Sequence, residues 1–384
     1  MVLGGDGYLG WPTSMHLAAR GDEVLAIDNY LRRRIVAETG SAPLFETPLL
    51  PERAGILKAV SGRDVTVRIG DLTDYAFLVE QVRDWQPDAI IHFAEQPSAP
   101  YSMRDYASAR LTLDNNLGTT HNVLWAIKEH APHCHLIKLG TMGEYGTPNI
   151  DIEEGWLEVS HKGRSERFLF PRQAGSLYHT SKVLDTDLIW FYVRTHGLRV
   201  TDLMQGPVYG IASGHCDADE RLVSNFHYDD IFGTVLNRFA VQAVSGVPLT
   251  VYGGGGQKRG YLSLIDSLAC IELALRHPAG AGELRIFNQF TEVFSVNELA
   301  QRVKQAGDAL GLGVRIQSIE NPRKELEAHY YNPVFTRLLE LGLKPNLLSD
   351  EVLTGILERI IRNVRRIDVN QIMPRVRWKQ PDRG

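Results

Sequence analysis

The chain has 384 residues, 43% of them hydrophobic and 23% charged, with a formal net charge of −5. That length exceeds the usual single-domain size, and the composition supports a large core and excludes a disordered chain. The mildly acidic balance gives no reason to expect nucleic acid or an anionic membrane surface as the main partner, so any anion-binding site must be local. Cys134, Cys216 and Cys270 are widely spaced and lack a Cys-x-x-Cys pairing. They read as core residues of a reducing compartment and predict neither a disulfide framework nor a metal site. No apolar run reaches the ~18 residues that span a bilayer. "MVLGGDGYLG" places glycines where a leader's apolar segment would lie, so a cytoplasmic protein is expected.

In chain order, only Met1, Val2 and Leu3 precede the first glycine, fewer than the roughly five residues of an ordinary strand. Apolar β-like runs follow at 23–28, 65–71, 88–94, 134–140 and 199–204, separated by amphipathic segments at 73–85, 111–130 and 180–196. Buried strands alternating with helices predict a Rossmann-type parallel sheet covered on both faces. Residues 33–62 are too long for a βα loop and read as an insertion. Residues 155–170 hold two β-like runs around "HKGR", a hairpin positioned to lie over a site near residue 178. After residue 205 the pattern changes to "GPVYG", "PLTVYGGGGQKRGYLSLID" and helices at 295–310 and 349–364. The division expected is a dinucleotide domain at 1–205, joined again by 233–245 and 261–290, and a smaller α/β substrate lobe within 206–384.

"GGDGYLG" offers Gly4, Gly7 and Gly10 at three-residue spacing before a helix-like segment. Such glycines let a backbone approach a pyrophosphate that the helix N-terminus then stabilises. Asp28 ends the next strand, where a carboxylate accepts both adenosine ribose hydroxyls and repels a 2′-phosphate, favouring NAD over NADP. Arg32 and Arg33 stand close enough to serve a 2′-phosphate instead, or to be solvated loop residues. Asp71 and Leu72 close a further strand and are candidates for the adenine edge.

Thr141 ends the strand in "KLGTMGEYGTPN", and Tyr178 and Lys182 sit one helical turn apart in "YHTSK". A tyrosine is a weak base at its usual pKa of ~10, and a neighbouring ammonium stabilises the phenolate. A strand-end hydroxyl can hold the same substrate oxygen. Tyr-x-x-x-Lys arises by chance in many helices, but the upstream Thr141 and the glycine turn make a catalytic reading the better one.

With "HFAEQPSAPYSM", "TDLMQGPVYG", "LTVYGGGGQKRGY", "FNQFTEVFSVNELA" and "NPRKELEAHYYN", these motifs resemble the UDP-sulfoquinovose synthase family of the extended short-chain dehydrogenase/reductase superfamily, over almost the whole chain. The resemblance implies an enzyme that joins UDP-glucose and sulfite, with a recycled NAD, through a 4-keto sugar and a 5,6-enone. Tyr178 would take the 4-OH proton, Lys182 assist it and Thr141 hold the 4-oxygen. Related 4,6-dehydratases carry an Asp-Glu pair where this chain has Met142 and Gly143, which leaves His179, Glu144 and Glu95 as titratable candidates for the elimination, His179 foremost. Further implied cofactor contacts are Tyr8, Leu9, Asn29, Phe93, Ala94, Glu95, Asn116, Gln205 and Val208. Implied substrate contacts are Gln96, Ser98, Tyr101, Met142, Gly143, Gln205, Asn225, Thr250, Tyr252, Gln257, Arg259, Arg323, His329 and Tyr330, with Arg259 and Arg323 on the pyrophosphate. Helices 111–130 and 180–196 lie where the resemblance implies a homodimer contact, although the sheet could equally cover their apolar faces. Pro97 replaces the family's arginine, leaving Arg104, Arg172 and the amides of Gln96 to Ala99 to hold sulfite. A UDP-sugar 4-epimerase that uses no sulfite is the alternative enzyme. A degenerate NAD-binding module is the alternative outside enzymes.

Overall fold

In the computed structural model the structure describes residues 1–211, 213–321 and 329–373. The first half runs β1 (Val2–Leu3), α1 (Gly10–Arg20), β2 (Leu25–Asp28), α2 (Leu31–Thr39), α3 (Leu50–Ser61), β3 (Thr66–Ile69), α4 (Tyr75–Trp85), β4 (Ala89–His92), α5 (Ala99–Ser102), α6 (Tyr106–His130), β5 (His135–Thr141), β6 (Trp156–His161), β7 (Arg164–Leu169), α7 (Leu177–His196) and β8 (Arg199–Gln205). The second half runs β9 (Val208–Tyr209), α8 (Val235–Ser245), β10 (Leu249–Tyr252), β11 (Lys258–Ser263), α9 (Leu264–Arg276), β12 (Leu284–Gln289), β13 (Glu292–Ser295), α10 (Val296–Ala309), β14 (Ile316–Ile319), α11 (Arg337–Glu340) and α12 (Asp350–Arg362).

Seven strands form one parallel sheet in the order β12-β8-β5-β4-β1-β2-β3. Such a sheet is covered on both faces, which is why its strands read as near-continuous apolar runs; β5 buries five of its seven residues. The chain leaves β1 toward β2 and β3, then returns to β4 on the other side. The strand order therefore reverses at the β1/β4 ends, the crevice where this architecture binds ligands. Despite its two residues, β1 is central, with Leu3 paired to Ile27 on one side and His92 on the other. This is a Rossmann-type fold.

The smaller C-terminal lobe contains the parallel pair β10–β14 and the three-stranded sheet β13-β11-β9. Helix α8 packs against α10 and α12, whereas β12 lies in the main sheet. The 33–62 insertion forms α2 and α3, and its loop joins the lobe through Leu44 N–H donating to Phe226 O at 2.8 Å. The hairpin β6–β7 forms with Lys162 and Gly163 at φ 50° and 76°, both in the left-handed region, as a tight two-residue turn requires. It does not cover the cleft. Trp156 packs edge-on against Trp190 of α7 at 4.9 Å, and none of the cleft-lining residues comes from the hairpin strands.

Candidate active site in the cleft at the strand ends

A cleft of about 660 Å³ opens above the β1, β4 and β5 ends and continues to the lobe. At the cofactor end its wall includes Gly4, Gly7, Tyr8, Leu9, Gly10, Asp28, Asn29, Arg32, Leu72, Phe93, Ala94 and Glu95. The turn is built on the absence of side chains. A Cβ on Gly10 would stand 1.9 Å from Gly4 O, and one on Gly4 would stand 2.8 Å from the Phe93 carbonyl carbon. This close backbone approach, opening directly into the α1 N-terminus, fits the pyrophosphate of a dinucleotide.

Asp28 closes β2 and accepts the N–H groups of Asp6 at 2.9 Å and Tyr30 at 2.6 Å. Burial, then the neighbouring Asp6, push its carboxyl up to about 6. Only the ionised form accepts from both ribose hydroxyls, so NAD affinity is expected to weaken by roughly tenfold between about pH 7 and pH 5. Calorimetry across that range checks this, with Asp28→Asn flattening the profile; a pH-independent affinity in the parent contradicts it.

The two arginines of α2 diverge. Arg32 lines the cleft, its guanidinium over Phe232 at 4.7 Å, and burial lowers its pKa to about 10. Arg33 is turned toward the insertion, donating to Asp6 at 2.6 Å and 2.9 Å and to the Thr47 and Pro48 carbonyls. Asp71 accepts from Asn29 at 3.0 Å behind the wall. Asn116 is buried, donating to Ser181 Oγ and Gln96 O, and its neighbour Asn115 lines the cleft.

Thr141, Met142, Gly143, Tyr178 and His179 all line the cleft, with the Tyr178 and His179 ring centroids 5.1 Å apart. Ser176 caps α7 by accepting the His179 N–H at 3.2 Å and meets His179 Nδ1 at 2.9 Å, which aims the imidazole at Gly143. A Cβ on Gly143 would lie 2.4 Å from His179 Cδ2 and Nε2, so a side chain at 143 and this imidazole cannot both occupy the space. Met142 is 5% exposed and belongs to the core. The His179 imidazole thus fills the space that an acid at position 143 would need.

Glu144 does not reach the cleft. It is fully buried below the turn, where it accepts from Thr141 N at 3.3 Å and Arg172 Nη1 at 3.3 Å. Lys182 is also below the wall, gripped by both carboxylate oxygens of Glu95, with Asp185 Oδ2 at 3.6 Å. Burial works against its charge, but Glu95 and Asp185 outweigh it and hold the ammonium above its usual pKa. Burial and then Glu95 push the Tyr178 phenol well above its ordinary value. Burial and Glu95 outweigh the lowering that a buried ammonium supplies, which here comes from Lys138.

At the lobe end, Gln205, Val208, Tyr252, Gln257 and Arg259 line the cleft. Arg238 joins them: its guanidinium covers the Tyr252 ring at 4.2 Å and donates to its hydroxyl at 2.6 Å. Sequence reasoning missed Arg238, which stands in an amphipathic helix without a motif around it. It also named Tyr330 where Tyr331 lines the wall and accepts the Gly260 N–H at 3.0 Å. The Tyr330 hydroxyl instead donates to Asp151, and His329 meets Arg259 Nη1 at 2.9 Å outside the wall. Thr250 is buried against Gln242. Asn225 is turned to the glycine turn, donating to Asp6 O at 2.6 Å. Arg323 lies outside the described residues.

On the Pro97 side, Ser98 lines the cleft while Gln96 and Tyr101 are buried behind it. Two amides offered for an anion are already used: Gln96 N donates to Asn116 Oδ1 at 2.8 Å and Ser98 N to Gln96 Oε1. Arg104 pairs with Glu38 and Asp105, and Arg172 with Glu144 and Asp187, so neither lines the cleft.

Residues 1–288 match the profile of the NAD dependent epimerase/dehydratase family. A chloroplastic UDP-sulfoquinovose synthase from Spinacia oleracea is 49% identical over 380 residues, covering 99% of this chain and 79% of the relative. The UDP-sulfoquinovose synthase of Sulfolobus acidocaldarius is 45% identical over 384 residues, covering 99% and 98%. Among solved structures, the UDP-glucose 4-epimerase of Bifidobacterium longum in complex with NAD+ and UDP shares the fold at a TM-score of 0.71, with 21% identity over 95% of this chain and 99% of that one. The chain therefore belongs to the NAD dependent epimerase/dehydratase family, and within it to the UDP-sulfoquinovose synthases.

Proposed function

We propose that the chain converts UDP-glucose and sulfite to UDP-6-sulfoquinovose and water. The observation that carries this reading is that Thr141, Tyr178 and His179 line one cleft, with the His179 imidazole in the space that a side chain at position 143 would need. The glycine turn and Asp28 fit NAD, which when bound supplies the hydride acceptor and donor for C4. Tyr178 takes the proton of the C4 hydroxyl and later returns it, Lys182 supports the phenolate, and the Thr141 hydroxyl holds the 4-oxygen. A carbonyl at C4 acidifies C5–H. Loss of that proton and of the C6 hydroxyl as water leaves a 5,6-enone; His179, which lines the cleft, is assigned the protonation of the departing hydroxyl. Sulfite then forms the C6–S bond, C5 regains a proton, and the carbonyl returns to an alcohol. Arg238, Arg259 and Tyr252 suit the UDP pyrophosphate and uracil.

Adding UDP-glucose alone to NAD-loaded protein is expected to produce reduced-nicotinamide absorbance and, after quenching, a 4-keto sugar nucleotide. A protein that gives neither contradicts the reading. The exposed Tyr106, Leu184 and Phe191 on α6 and α7 support a homodimer through those helices. Three buried free cysteines suit a reducing compartment, and among the described residues no helix is long and apolar enough to cross a membrane.

That Pro97 stands where the family carries arginine, with Arg104 and Arg172 paired elsewhere, favours a second reading, a UDP-sugar 4-epimerase, in which nothing need be held near C6. Under the first reading Pro97→Arg restores a charge-assisted contact worth ~1.5–3 kcal/mol, so the sulfite KM is expected to fall about tenfold or more. Steady-state kinetics against sulfite measures it, and an unchanged KM contradicts a sulfite subsite at this position.

A further inference from the structure

Beneath the Thr141 turn lies a closed group of four charges that the chemistry above does not use. Lys138 is on β5, three residues before Thr141, and its side chain is fully buried. Its ammonium reaches Thr186 Oγ1 at 3.0 Å, Asp202 Oδ2 at 3.4 Å, the Lys182 carbonyl at 3.4 Å and Glu144 Oε1 at 3.5 Å. These partners belong to α7, β8 and the turn after β5. Arg172, 6% exposed, closes the group from the other side by donating to Glu144 Oε2. Arg172 also pairs with Asp187 at the surface, so within the buried part the two cations face the two carboxylates Glu144 and Asp202. The packing is tight enough to dictate a glycine: a Cβ on Gly140 would stand 2.4 Å from Asp202 Oδ1 and 3.2 Å from Glu144 Oε1.

The group joins the two halves of the site. Glu144 Oε1, which Lys138 approaches, also accepts the Thr141 N–H, while the same ammonium holds the Lys182 carbonyl one turn beyond Tyr178. We propose that Lys138 is a positioning residue: by tying the Glu144-capped turn to α7, it sets the separation between the Thr141 hydroxyl and the Tyr178 phenol that must share one substrate oxygen. A buried ion pair is weak evidence for a stabilising role, since apolar replacements often fold as well. A misplacement of about 1 Å at a reacting oxygen, by contrast, costs about 10²-fold in rate.

The inference rests on the oxidation at C4 proposed above, and the experiment separates the two. The parent, Lys138→Met, Thr141→Ala and the double variant are compared as the full chain, freed of NAD for the NAD titration and NAD-loaded for the other measurements. The readouts are calorimetric affinities for NAD and UDP-glucose, melting temperature, and the single-turnover rate of C4 oxidation. Lys138→Met is expected to keep both affinities within about twofold, the scatter of independent sites. Its rate should fall about 10²-fold, and Thr141→Ala should add little to that loss, because both changes act on one contact. A second pair, Lys138→Met with Asp202→Leu, removes one charge of each sign; it should recover melting temperature but not rate. An active parent with a Lys138→Met rate near the parent's overturns this inference alone, as do multiplying losses with Thr141→Ala or recovery of both properties in the charge-balanced pair. An inactive parent overturns the proposed function as well. If the Lys138 variants are insoluble, Thr186→Val, which removes the hydroxyl at 3.0 Å, is read in the same way: a rate equal to the parent's overturns the inference.

Discussion

Tyr178→Phe is expected to abolish turnover while leaving UDP-glucose affinity nearly intact. General-base removal costs about 10²–10⁴-fold. The aromatic ring that remains keeps its packing against His179, whose centroid lies 5.1 Å away. The backbone stays anchored through Tyr178 N–H donating to Ser102 Oγ at 3.0 Å. Because the Tyr178 oxygen is the group proposed to take the C4 proton, the loss should fall on the chemical step and appear as an absence of reduced nicotinamide when UDP-glucose is added. Calorimetry on the same sample separates binding from chemistry. A Phe variant that still oxidises UDP-glucose would assign the base to another group, and His179 would be the first to examine.

Gly10→Ala should be the most damaging small substitution at the cofactor end. The added methyl would meet Gly4 O at 1.9 Å, Gly4 C at 2.8 Å and the Gly5 Cα at 3.0 Å. These are backbone atoms of the same turn, so no side chain can swing aside, and the turn itself must move. Overpacking of this kind costs about 1–3 kcal/mol even where neighbours relax, which predicts a tenfold to hundredfold loss of NAD affinity. Gly55→Ala provides the contrast: this helical glycine of α3 has nothing within 4 Å of an added Cβ. It should leave NAD affinity unchanged and raise stability by about 0.5–1 kcal/mol through a stiffer unfolded chain. Equal NAD affinity in the parent and Gly10→Ala would contradict the proposed cradle.

The parts of this molecule that were legible in the sequence are those fixed by local pattern. Apolar runs announced the strands, since a parallel sheet buries both faces of each. "GGDGYLG" announced the turn, since only glycine permits backbones this close. The pairing of Tyr178 with Lys182 on one helix face followed from their spacing, although the Ser176 cap starts the helix at Leu177, three residues before the expected segment. What stayed hidden depended on partners far along the chain. Nothing near Glu144 reveals that Lys138, Arg172 and Thr186 will draw its carboxylate below the turn. The choice between Asn115 and Asn116 depends on the phase of α6, which begins at Tyr106, five residues before the expected start. Tyr331 rather than Tyr330 faces the cleft because Ile152 N–H donates to Asn332 O at 3.1 Å and Val334 N–H to Ile152 O at 2.8 Å, fixing the register of that extended segment. Asn225 was assigned to the sugar by motif position, yet the insertion's Thr47 and the glycine turn's Asp6 hold its amide. The Pro97 substitution was plain from the start; that Arg104 and Arg172 are bound elsewhere required the folded chain.

The most direct test of the account is the mass of the sugar nucleotide formed from UDP-glucose by NAD-loaded protein, with and without sulfite. The account predicts a sulfonated UDP-sugar, formed with loss of one water, that appears only when sulfite is present. Interconversion of UDP-glucose and UDP-galactose at any sulfite concentration, with no sulfonated product, would contradict it.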